Sequence, residues 1–185
     1  MTKTLILTAL LITFTAAKEK LVKTKVTENI TVSLPKSFFE MTPSDIAQRY
    51  PSVRKPIGAY TNEERLVDFS INVSATQWRS TDVKIAKDFF KASIVNLYDR
   101  VDFINEEIKT IGDREFIVFE FDSRINGNAR SLEGTGPVRG YSYVQYLISK
   151  GKTIVFSFNC PIQRKEAWQA TAKEVMNSIK VKGKI

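Results

Sequence analysis

The 185-residue sequence is 43% hydrophobic, with 28 Lys and Arg against 20 Asp and Glu, a formal net charge of +8, and no His. A chain of this size buries roughly 70% of its unfolded surface as a single domain, so its core needs neither a disulfide nor a metal. The absence of His removes the usual neutral-pH general base and the commonest transition-metal ligand, which excludes Ser–His and Cys–His nucleophiles.

Residues 1–17 differ from the rest: Lys3 precedes an uncharged apolar run, Leu5–Phe14, and the small residues Thr15-Ala16-Ala17 follow. That pattern predicts a signal peptide cleaved after Ala17, with a retained N-terminal anchor as the alternative. The apolar run is too short to span a bilayer, which takes about 20 residues, and no transmembrane segment is expected after cleavage. Residues 18–185 then form one exported domain, periplasmic or secreted. Cleavage removes Lys3 and no acid, so the charge falls from +8 to +7. Basic residues alternate with acids, as in Lys18-Glu19-Lys20, without a like-charge block or a nucleic-acid motif. This argues against a nucleic-acid partner; a solvated mixed surface is the plain reading, and an anionic surface such as a membrane or cell-wall polymer is the alternative.

Val26–Leu34 alternates apolar and polar residues and predicts the first strand, closed by Pro35. Phe38, Phe39 and Met41 are expected to plug one end of the core. Thr42-Pro43-Ser44-Asp45 carries a helix-start signature, and Tyr50-Pro51 ends that helix. A short strand at Ala59–Thr61 and a clearer one at Leu66–Ser74 follow, the latter with Val67, Phe69, Ile71 and Val73 on one face. The longest helix is predicted over Asp82–Tyr98, with positions 83, 86, 90, 94 and 97 on one stripe widened by Phe89. Val101–Ile111 and Arg114–Arg124 flank a turn at Gly112-Asp113. In the second of these strands Ile117, Phe119 and Phe121 line one face, and Val118, Glu120 and Asp122 the other. Tyr141–Lys150 and Thr153–Cys160 form another hairpin. A last helix over Gln163–Ile179 sets Trp168, Ala172, Val175, Met176 and Ile179 on a stripe, with Lys180, Lys182 and Lys184 as its basic end.

Consecutive strands with tight turns imply a mainly antiparallel sheet of six or seven strands. Thr153–Cys160 is apolar on both faces, so both faces need cover. The expectation is an α+β fold, an α/β/α sandwich with the long middle helix and the C-terminal helix over the two faces. The run Val32-Ser33-Leu34-Pro35-Lys36-Ser37-Phe38 resembles the opening of the PsbP-like and DcrB-like families. The later strand, long helix, meander and closing helix with Trp168 and Asn177-Ser178-Ile179 come in the same order. The resemblance covers most of residues 26–180 and implies the sandwich. It also implies a mainly non-enzymatic group of accessory, transport-factor, periplasmic and chaperone proteins that share no common site.

The functional candidates cluster around Ile125–Gly140, a connection of 16 residues between strands. Connections of that length are uncommon unless functional or disordered. Arg124, Arg130 and Arg139 bear guanidinium forks suited to carboxylates or phosphates, and Tyr141 and Tyr143 follow on one strand face. The competing reading of the arginines is plain solubility. Gly134–Gly140 lacks the helix and the Gly-Lys-Ser/Thr of a phosphate loop. Glu120 and Asp122 share a strand face and offer a hydrolase alternative, against which stands ordinary ion pairing with nearby cations. With one Cys, no His and no Ca²⁺-loop pattern, no metal and no cofactor is expected. Cys160 reads as a buried structural thiol. The expected role is therefore a non-enzymatic exported binding protein, with an exported hydrolase or an envelope chaperone as alternatives.

Overall fold

A computed structural model of the chain describes residues 19–50, 54–127 and 136–183. The predicted signal segment and Arg130 lie outside the described residues. The elements run β1 (Leu21–Lys25), β2 (Ile30–Pro35), β3 (Phe39–Glu40), α1 (Pro43–Arg49), β4 (Gly58–Thr61), β5 (Asp68–Val73), α2 (Val83–Leu97), β6 (Arg100–Ile111), β7 (Arg114–Ile125), β8 (Val138–Ser149), β9 (Lys152–Pro161), α3 (Lys165–Asn177) and β10 (Lys180–Val181).

Seven strands form one sheet in the order β3-β4-β5-β9-β8-β7-β6, and every pairing in it is antiparallel. The predicted hairpins are present. Lys150 and Gly151 both take positive φ at the tip between β8 and β9, the backbone that a two-residue turn between twisted strands requires. The helix start at Thr42 is a reciprocal cap: the Asp45 amide donates to Thr42 Oγ1 at 3.2 Å, and the Thr42 amide donates to the Asp45 carboxylate at 3.0 Å. Pro43 occupies the first helical position, where its missing N–H costs nothing.

The sheet is covered on both faces, as a strand that is apolar on both sides demands. On one face α2 presses Ala86, Phe90 and Ile94 against Ile117, Phe119, Phe121 and Val144. Phe90 stacks on Tyr146 with ring centroids 4.0 Å apart. On the other face Ala172, Val175 and Met176 of α3 pack over Phe116, Val118, Leu147, Phe156 and Phe158. Trp168 leans on Phe158 and Phe38.

Four expectations need correction. Val26–Leu34 is not one strand: the Val26 and Thr27 amides both donate to the Ile30 carbonyl, so residues 26–29 turn the chain. Leu21–Lys25, which the sequence pattern leaves outside any predicted element, is a strand paired with β2. Lys180 and Val181 do not extend the last helix but pair with Thr31 and Ile30, completing a three-stranded sheet β1-β2-β10. Val181 is buried there beside Ile30, Val32 and Leu34, so this small sheet shares the α3 face. Leu97, placed on the buried stripe of α2 by its spacing, is 69% exposed because the helix ends before the sheet can cover it.

Thr153 is fully buried, and its Oγ1 has no hydrogen-bond partner among the described residues. An unpaired buried hydroxyl costs about 1–3 kcal/mol. Thr153→Val, which keeps the shape and removes the hydroxyl, should raise the unfolding free energy by about 1 kcal/mol in urea titration. An unchanged or lowered midpoint would show that the hydroxyl is satisfied.

Candidate functional site

The site is built by the register of three neighbouring strands at one end of the large sheet. β6 pairs with β7 so that Arg100 stands opposite Arg124, and β7 pairs with β8 so that Arg124 stands opposite Arg139. Three arginines therefore form a row across the sheet at strand spacing, about 4.8 Å per step. The next row inward is Asp102, Asp122 and Tyr141. A recess of about 170 Å³ is lined by Arg100, Arg124, Arg139, Asp102, Asp122 and Ser123.

The charges in this recess are unequally satisfied. Arg100 Nε lies 2.9 Å from a carboxylate oxygen of Asp102. Asp122 accepts from Lys165 Nζ at 2.6 Å, and that ammonium also sits 5.8 Å from the centre of the Tyr141 ring. The nearby Asp99 carboxylate is occupied by the Asn126 backbone amide at 2.6 Å. Arg124 and Arg139 are both exposed, and among the described residues neither has an acid partner. Like charges directly opposite each other on a sheet are destabilising, so this row costs stability that no acid across the strands returns.

The sequence pointed to Arg124 and Arg139, and the structure brings them side by side on one strand face. It places Tyr141 and Tyr143 on that same face but further in, at 0% and 2% exposure beneath α3, so their rings are core and not presented to solvent. Burial, aided by the Glu120 carboxylate, pushes the Tyr141 phenol far above its ordinary value. Burial takes Tyr143 up to about 12. Arg100 was missed. It opens β6 some 24 residues before Arg124 in the chain, and only the strand register brings the two together.

On the reverse face of the same sheet end, Ile125 and Val138 form an in-register pair, 45% and 65% exposed. With Leu66, Tyr98, Asp68 and Arg139 they line a cleft of about 340 Å³. The end of the β7–β8 hairpin thus adds an exposed apolar pair to the arginine row, with Arg139 lining both hollows.

The carboxylates weighed as a hydrolytic pair are engaged in ion pairs. Glu120 is 1% exposed. It accepts from the Tyr141 hydroxyl at 3.0 Å and from Gln169 Nε2 at 2.5 Å, and lies 3.2 Å from Lys173 Nζ. Together with Asp122–Lys165 it ties β7 to α3. Burial pushes the Cys160 thiol up to about 12, which leaves it protonated and non-nucleophilic at neutral pH. No group of three or more metal-ligating side chains occurs among the described residues, and no helix among them is long and apolar enough to cross a membrane.

No protein-family model and no curated protein sequence matches the chain. Solved structures do. The solution structure of cyanobacterial PsbP from Synechocystis sp. PCC 6803 superposes with a TM-score of 0.59 at 13% identity, covering 91% of this chain and 96% of that one. The Saccharomyces cerevisiae Ran-binding protein Mog1p gives 0.57 at 14% identity, covering 89% and 96%. LpqN, involved in cell envelope biogenesis of Mycobacterium tuberculosis, gives 0.52 at 8%, covering 89% and 91%.

Glu120→Ala should lower the unfolding free energy by about 2 kcal/mol, because the Tyr141 hydroxyl and Gln169 amide lose their acceptor while buried. Urea titration reads this directly. A stability gain would instead mark Glu120 as a carboxylate held at a cost for chemistry. Seven antiparallel strands with helices on both faces, matched over about nine-tenths of the chain by these three structures, give this protein the PsbP-like α/β/α sandwich fold.

Proposed function

We propose that this chain is an exported, non-enzymatic accessory or binding protein that engages a protein or anionic partner through the 125–140 connection and the sheet end from which it springs. The observation that carries the reading is the exposed, adjacent pair Arg124 and Arg139, unmatched by any acid among the described residues. Two guanidinium forks in register form a preorganised receptor for an oxyanion, since strand pairing has already fixed their backbone spacing. The 126–137 connection leaves the sheet immediately beside them.

Several observations support a binding role over catalysis. The chain has no His, Glu120 and Asp122 are each held by a cation, and Cys160 stays protonated. Among structures with this fold, Mog1p is a Ran-binding protein and LpqN is involved in cell envelope biogenesis. The first supports a protein-binding use of the scaffold, and the second is compatible with an envelope location. Arg130, on the same connection, belongs to the proposal by its position in the sequence.

The test is affinity capture from a native envelope fraction with the wild-type chain and with an Arg124→Gln/Arg139→Gln double variant. Both substitutions are on exposed side chains, so the variant should keep the wild-type circular dichroism spectrum. The reading expects a partner retained by the wild type and reduced about tenfold or more by the variant, the cost of one to two charge-assisted hydrogen bonds. Equal recovery by the two proteins contradicts it.

A further inference from the structure

We infer that the Arg100–Arg124–Arg139 row takes a dianionic phosphate group, carried either by a free small molecule or by a lipid headgroup; the inference rests on reading this sheet end as a binding site. Charge comes first. In the recess Arg100 is neutralised by Asp102 and Asp122 by Lys165. Arg124 and Arg139 remain, each with one positive charge and no acid partner among the described residues. Among the described residues the uncompensated charge is therefore two, which matches a phosphate monoester at neutral pH, with about −1.5 to −2.

Geometry points the same way. A single carboxylate is planar with two oxygens, and one guanidinium fork satisfies it. Forks on neighbouring strands start from backbones about 4.8 Å apart, and an anion that engages two of them needs oxygens pointing in more than one plane. A tetrahedral phosphate provides that. Arg100, at the far end of the row, holds the side wall by its ion pair with Asp102. Arginine in place of lysine also fits, because bidentate donation to phosphate requires the planar fork. A solvated basic surface needs no such alignment and gains nothing from setting three like charges in register.

The test is a titration of the isotope-labelled protein with inorganic phosphate, followed through the Nε–Hε resonances of Arg124 and Arg139 and the Gly140 amide. Saturable shifts are expected, at least tenfold stronger in apparent affinity than with acetate at matched ionic strength. They should disappear in Arg124→Gln and in Arg139→Gln and persist in Lys84→Gln, a change on the exposed face of α2. Co-sedimentation with phosphatidylcholine vesicles, with and without phosphatidic acid, separates the two sources. Retention on the phosphatidic acid vesicles that is lost in Arg124→Gln assigns a headgroup. Saturation by phosphate without vesicle retention assigns a free compound. Absent shifts together with absent vesicle retention, equal affinity for acetate, or responses unchanged in both arginine variants overturn the inference. If partner capture depends on the arginines while phosphate produces no response, the phosphate inference falls and the binding role stands.

Discussion

Residues 116–121 of β7 are buried on both sides of the sheet, and the strand's two-residue alternation divides them between two cores. Ile117, Phe119 and Phe121 meet α2, while Phe116 and Val118 meet α3 and the small sheet. A slip of one residue would exchange these sets and carry Glu120 from its cage of Tyr141, Gln169 and Lys173 into the aromatic cluster under Phe90. Burying a carboxylate without partners costs several kcal/mol, so Glu120 fixes the register more strictly than the apolar residues could. The arginine row at the end of the sheet inherits that register. Once Glu120 stands opposite Tyr143, Arg124 must stand opposite Arg139.

Much of this was legible in the sequence because it is local. The β7 alternation, the Thr42 cap, the tight turns at Gly112 and Gly151 and the stripes of α2 and α3 all follow from residues within a few positions of one another. The elements that were missed are those whose reason lies elsewhere in the chain. Leu21–Lys25 looks like a polar lead-in because it is an edge strand with only one covered face. Lys180–Val181 looks like a helix tail because two residues are too few to show a period, and its partner Thr31 is about 150 positions away. Arg100 escaped notice for the same reason.

The two tyrosines illustrate a different limit. Tyr141 and Tyr143 lie on the strand face of Arg139, as their spacing implies, but spacing does not say where along that face the helix begins to cover it. Lys165, the first residue of α3, meets Asp122, and everything inward of that contact is core. The boundary between carboxylates held by α3 and exposed arginines therefore falls between Asp122 and Arg124. Adjacent rows of one strand face thus have opposite roles: the inner row fastens a helix, and the outer row is open to a ligand.

A site of this kind is expected to cost stability when empty. The most direct measurement is a double-mutant cycle on the ligand-free protein, with Arg124→Gln, Arg139→Gln and the pair followed by urea unfolding at low ionic strength. The account predicts that each single change raises the unfolding free energy by a few tenths of a kcal/mol, the scale of a cross-strand pair. The double change should gain less than the sum, since either substitution alone relieves the same repulsion. If each substitution lowers stability, the arginines are structural, and the sheet end is not a binding site built at the fold's expense.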